Sequence, residues 1–180
     1  MSLPTNFLRP LISAAAQSVS LPWWKSWSPG TWLEALILQE SGGNPKATRY
    51  EAHQDVAGRK DAAEDADAPE RDDGPLEDDK SYGLMQVMGY NARRLCGVPP
   101  GTPMNFGFLL LPITNIAFGL RILCAELEAT GQSIPRALAR YNGGSTGDDL
   151  GADGLMRREI YVNGVAEWAA KVHKDRGGWL

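Results

Sequence analysis

The run LEALILQESGGNP, Leu33 to Pro45, places the carboxylate of Glu40 at the end of an apolar stretch. A carboxylate shielded from water is disfavoured in its charged form, so it can hold a proton near neutral pH and serve as a general acid or base. The inert alternative is a side chain at the rim of the core that reaches back to water. The element that carries it bears on the choice. Ser28 and Pro29 signal a helix start, and Trp32, Leu33, Leu36 and Ile37 are its apolar positions. Glu40 follows Leu36 by four residues and Ile37 by three, so it continues that stripe and is expected to face inward. Gly42 and Gly43 then stop the helix, which sets Glu40 beside a turn that a cleft can reach.

The elements that must position this residue are predicted to be mostly helical. SYGLMQVMGYNARRLCGVPPG reads as a turn and a helix ended by Gly97. In LPITNIAFGLRILCAELEATG, Pro112 fits the first turn, Ile113, Ile116, Leu120, Leu123 and Leu127 recur at helical spacing, and Gly131 closes the helix. Arg121 and Asn115 argue against a membrane span there. Ser133 caps IPRALARYNGG, a short helix with Ala137, Leu138 and Tyr141 on one face, and REIYVNGVAEWAAKVHK is a terminal amphipathic helix. Strand-like pieces are short and lie around an insertion. The fold class is therefore mainly α, with an N-terminal arm over residues 1–26 and one helical domain over 27–180. Trp23, Trp24 and Trp27 precede the first firm helix. They are expected to pack beneath its start, although such a cluster could also stack on sugars.

At 180 residues with 43% hydrophobic side chains, the chain can bury a substantial core without disulfide staples. Cys96 and Cys124 are read as two buried thiols rather than as a disulfide, and neither has the spacing of a metal site. The net charge of -4 conceals an asymmetry. Between Glu51 and Lys80 there are 12 acidic and 4 basic residues, leaving 14 basic and 10 acidic residues, a net of +4, in the remainder. The acidic insertion, about 54–80, is poor in large apolar residues and reads as a mobile surface segment. It lacks the spacing of a calcium loop. A mild positive charge suits a polyanion, but no finger, basic-aromatic stripe or phosphate-binding loop points to nucleic acid. The first 24 residues make a poor secretory signal, and no run spans a bilayer.

Four motifs occur in order: ESGGNP at Glu40–Pro45, GLMQ at Gly83–Gln86, NIAFGLRIL at Asn115–Leu123 and ARYNGG at Ala139–Gly144. Together they resemble the soluble lytic transglycosylase family, whose catalytic domain has a lysozyme-like helical fold. The resemblance extends over roughly Trp27 to Trp168. It implies that Glu40 is the sole catalytic acid and base, and that Ser41 lies by the cleft and holds its turn. It also implies that Met85 and Gln86 line the sugar site, and that Tyr141 and Asn142 are the family's site tyrosine and asparagine. Tyr161 resembles a further cleft tyrosine. Each has a plainer reading: Met85 as core filler, Tyr141 as a buried structural side chain, Asn142 as a helix cap. Two departures stand out. The insertion stretches the gap from Glu40 to Gly83, and Leu111 stands where an aspartate often precedes the proline.

The resemblance further implies peptidoglycan as substrate, no cofactor, and a mechanism with one carboxylate. Glu40 protonates the leaving oxygen, then deprotonates the 6-hydroxyl of N-acetylmuramic acid, which closes a 1,6-anhydro ring. A goose-type lysozyme-like hydrolase is the rival reading, with Asp55 or another acid of the insertion holding water. A non-catalytic wall-binding module is the other. Action in the periplasm or cell wall follows. The setting expected is a bacteriophage virion that opens the wall for genome ejection, or a secretion apparatus, with other proteins of that assembly as partners.

Overall fold

Proline at the first turn and glycine at the last bound the helix that carries Glu40. In a computed structural model, which describes residues 3–50, 78–99, 102–143 and 152–177, this helix, α2, runs Pro29–Ser41. α1, Arg9–Ser18, precedes it. The strand β1, Thr48–Tyr50, follows it, then β2, Lys80–Tyr82, and β3, Val87–Met88. The remaining helices are α3, Gly89–Cys96; α4, Pro112–Ala129; α5, Ile134–Gly143; and α6, Ala152–Asp175. Helices dominate and the sheet is small, so the fold is the expected mainly helical, lysozyme-like one. No described helix is long and apolar enough to cross a membrane. The acidic insertion lies outside the described residues apart from Asp78, Asp79 and Lys80, and Asp55 lies outside them too. The β region is present, with β1 and β2 paired on either side of the insertion in the sequence.

Two compact units divide the chain, residues 44–118 and residues 1–43 with 119–180. In the second of these, α2 is buried from Gly30 to Leu38 on every side rather than along one stripe. α1 packs on it through Ile12 and Ala16, and α6 through Tyr161, Val165, Ala169 and Val172, at the helical spacings of four, four and three. Burial on all sides gives α2 an unusual passenger, Glu34, which is 0% exposed. Its carboxylate accepts from Thr5 Oγ1 at 2.6 Å, from Arg9 Nε at 3.0 Å and from Arg176 at 2.6 Å. Arg9 also reaches Asp175 at 2.6 Å. A buried charge persists when its oxygens are filled by donors in this way. α1, α2 and the end of α6 are thereby pinned together.

In residues 44–118 the three strands pair antiparallel in the order β1-β2-β3, with Thr48 opposite Tyr82 and Tyr82 opposite Val87. The turn Gly83–Gln86 joins β2 to β3. Asn115, fully buried, accepts from Met85 N at 2.7 Å and donates to the carbonyls of Tyr82 at 2.7 Å and Leu109 at 2.9 Å. Gly83 sits at φ +71, and a Cβ there would lie 2.4 Å from Asn115 Nδ2. Glycine is thus required twice over, by backbone conformation and by the close approach of the asparagine. Arg93 is likewise buried and fixed by Asp78 at 2.7 Å and by the carbonyls of Pro99 and Thr102.

Three expectations are corrected. Ile113 is 65% exposed, because the first turn of α4 stands clear of the seam formed by Ile116, Leu120, Leu123 and Leu127. Cys96 and Cys124 are free thiols, but neither is buried: Cys124 is half-buried, and Cys96 is exposed, since it is the last residue of α3 before Gly97 turns the chain away. Of the tryptophans, Trp24 and Trp27 pack edge to face at 5.3 Å beneath Lys25, whereas Trp23 is 67% exposed.

Replacing Asn115 by alanine strands one buried N–H and two buried carbonyls, so urea denaturation should show a loss of about 3 kcal/mol. Glu34→Ala should cost about 3 kcal/mol, at the low end for a broken buried ion pair, because Arg9 and Arg176 keep partial access to water.

Candidate active site

Glu40 occupies the last turn of α2, where the helix leaves the core, and is half-buried rather than wholly inward. Two glycines follow for different reasons. Gly42 is the left-handed C-cap at φ +64, and its N–H donates to Leu38 O. Gly43, at φ +81, is also pressed on Thr5, where a Cβ would lie 2.9 Å from the methyl carbon. Ser41 Oγ donates to Ile37 O at 3.1 Å and accepts from Gly43 N at 3.2 Å, which ties the turn to the helix. The carboxylate's position therefore follows from a helix end locked on both sides.

Tyr161, on α6, donates its hydroxyl to Glu40 Oε1. Its ring is 8% exposed, so the phenol is held by packing and the carboxylate is held by the phenol. Close passage of the two helices is eased at Gly164, where a Cβ would meet Gln39 Oε1 at 2.8 Å. Tyr141, half-buried in the last turn of α5, is coupled to the same carboxylate through charge. Burial first, and the negative charge of Glu40 second, push its phenol well above the ordinary value of 10. It is a proton donor throughout the neutral range. Glu40, Tyr161 and Tyr141 thus converge from α2, α6 and α5. Asn142 is exposed beside them in sequence, at the end of α5.

Met85 and Gln86 belong to the unit of residues 44–118, and there their local geometry is plain. Met85 is fully buried, and its N–H is the one held by Asn115. Gln86 takes a left-handed backbone at φ +46, a strained conformation for a non-glycine residue. Its amide stabilises that turn: Oε1 accepts from Ser81 Oγ at 2.7 Å, and Nε2 donates to Gly83 O at 2.8 Å and to Ala47 O at 3.4 Å.

Reading by motif passes over Glu34, Arg9, Arg176 and Thr5. A signal for the first was available, since Glu34 is the one charged residue inside TWLEALIL and has apolar neighbours on every helical face. Its arginine partners lie 25 and 142 residues away, and no local pattern joins them.

The raised phenol of Tyr141 has a defined consequence with pH. The unfolded tyrosine loses its proton near 10 and the folded one above that, so the unfolded chain binds fewer protons in between. The stability contributed by protonated Tyr141 is whole below pH 10 and falls as pH rises through the folded value. Melting followed across alkaline pH should show a shallower decline for Tyr141→Phe than for the parent protein. Phenolate absorbance should show the Tyr141 midpoint moving down in Glu40→Gln while staying above 10, because burial is the larger cause.

The transglycosylase SLT domain family matches residues 24–149. The matched stretch takes in α2, the Gly83–Gln86 turn, Asn115 and Tyr141, and it stops before α6, which supplies Tyr161. No curated protein and no solved structure matches the chain. Lytic transglycosylase activity on cell-wall peptidoglycan goes with this family in general. With well over half of its 180 residues matched, the chain belongs to the transglycosylase SLT domain family.

Proposed function

We propose that this protein is a peptidoglycan lytic transglycosylase that cleaves the β-1,4 bond between N-acetylmuramic acid and N-acetylglucosamine, with Glu40 as its acid and base. The observation that carries the reading is the hydroxyl of Tyr161 on the Glu40 carboxylate at a helix end, with Tyr141 coupled to the same charge.

Glu40 begins as the acid. Its proton goes to the glycosidic oxygen as that oxygen leaves the anomeric carbon, and a positioned side chain in this role contributes about 10²- to 10⁴-fold. The resulting carboxylate then takes the proton of the muramic acid 6-hydroxyl. The freed oxygen attacks the anomeric carbon and closes the 1,6-anhydro ring. The proton that Glu40 gave is recovered, and no water is consumed. Tyr161 orients the carboxylate between the two half-reactions, and Tyr141, protonated at the working pH, faces the same developing charges. Ser41 keeps the turn in register. Asn142 is assigned to glycan binding on the family motif, and so are Met85 and Gln86.

Glu40→Gln should abolish wall cleavage and leave the melting temperature unchanged. Tyr161→Phe should lower kcat by about 10- to 100-fold with a smaller effect on KM, the pattern of a lost positioning contact. Mass analysis of digested wall should find muropeptides with 1,6-anhydro ends. Reducing ends would assign the chemistry to a hydrolase, and full activity of Glu40→Gln would overturn the reading. The setting we assign is a virion that opens the wall for genome ejection, which requires the protein among those of purified particles.

A further inference from the structure

Arg158, on α6, is 8% exposed, and no step assigned to Glu40 uses it. Its guanidinium lies against the last residue of α5: a Cβ at Gly143 would come 3.1 Å from Arg158 Nε and 3.2 Å from Nη2. That close approach keeps Gly143 small. Arg158 also lines a cavity between α5 and α6, together with Arg136 and Arg140.

Taking a guanidinium out of water is unfavourable, so a buried one needs a reason. Capping supplies part of it, because the free carbonyls at the end of a helix attract a cation. Yet α5 already carries Arg140 in its last turn, held by Glu126 on α4, and a partly exposed cation meets that need. The remaining reason is geometric. Arg158 and Tyr161 are three residues apart, so they share one side of α6. Tyr161, as buried as Arg158, donates to Glu40 at the end of α2. Arg158 lies on the turn of α5 that carries Tyr141, whose phenol feels the charge of Glu40. One turn of α6 therefore touches the ends of both helices that bring side chains to this carboxylate.

We propose that Arg158 is a positioning residue of the Glu40 site: seated on the last turn of α5, it holds Tyr141 toward the carboxylate that Tyr161 grips from the next turn of α6. Arg158 itself touches no substrate. A planar, pre-organised guanidinium suits this task, since it packs over backbone and loses less freedom when held than a flexible ammonium does. The effect of Arg158 on cleavage rests on the transglycosylase reading, whereas its effect on the approach of Tyr141 to Glu40 does not.

The test compares the parent chain, Glu40→Gln, Arg158→Ala and the double variant by the tyrosine Cζ resonances at neutral pH, with Tyr141→Phe assigning the Tyr141 signal. Glu40→Gln should displace that signal in the parent background, and the displacement should shrink by about half or more with Arg158→Ala, because the two groups are coupled through Arg158. Wall cleavage by Arg158→Ala should show kcat lowered about tenfold or more with KM nearly unchanged. Millimolar methylguanidinium, which can enter through the cavity, should restore much of the resonance displacement and of kcat. Arg158→Lys keeps a cation at the end of α5, and it gives the same comparison in a chain expected to melt with the parent. An undiminished displacement in a folded Arg158 variant overturns the proposal, and so does a loss of kcat that methylguanidinium leaves unrestored. If the parent cuts no wall, the transglycosylase reading fails, while the resonance comparison still decides the role of Arg158.

Discussion

A carboxylate with no access to water, Glu34 in the middle of α2, sets the conditions for the rest of its unit. Left alone, it could not remain charged in the core. Its oxygens are filled by Thr5, Arg9 and Arg176, which come from before α1, from the start of α1 and from beyond the end of α6. One side chain thereby requires both ends of the chain to close on the same helix. Arg176 meets α2 at Glu34 and at the carbonyl of Gly30, and Tyr161 meets it near its end, so α6 runs antiparallel to α2.

Two glutamates on one helix, six residues or about 9 Å of rise apart, thus have opposite fates. Glu34 is locked by cations and has no exposed surface, which suits it to hold structure and unfits it for proton transfer. Glu40 stands at the mouth of the helix, half-buried, and accepts a hydrogen bond from the phenol of Tyr161. Environment rather than residue type separates the two carboxylates. The family match ends before α6, so the Tyr161 hydrogen bond on the motif glutamate comes from a helix outside the matched residues.

Several motif residues serve the backbone. Asn115 satisfies one N–H and two carbonyls around the Gly83–Gln86 turn, Gly83 makes room for it, and Gln86 braces the turn with its own amide. A turn with a left-handed glutamine needs such bracing, because the conformation is strained for a residue with a side chain. The motifs GLMQ and NI are therefore read together as one hydrogen-bonded unit.

Local patterns carried much of this. Pro29 and Gly42 bound α2, Gly97 and Gly131 close their helices, and the spacing from Ile116 to Leu127 marks a buried seam, because caps and periodicity depend on neighbours within a few residues. Glu40 was legible for the same reason, as a carboxylate at a helix end beside two glycines. The sequence by itself determined the helical class, the helix ends and the motif glutamate. Only the tertiary structure decided that Glu34 is clamped by residues from both ends of the chain, that Tyr161 is the phenol on Glu40, and that Arg136, Arg140 and Arg158 surround one cavity. Those contacts join residues from separate helices, up to 142 positions apart in the case of Glu34 and Arg176, and only packing fixes which long-range partners meet.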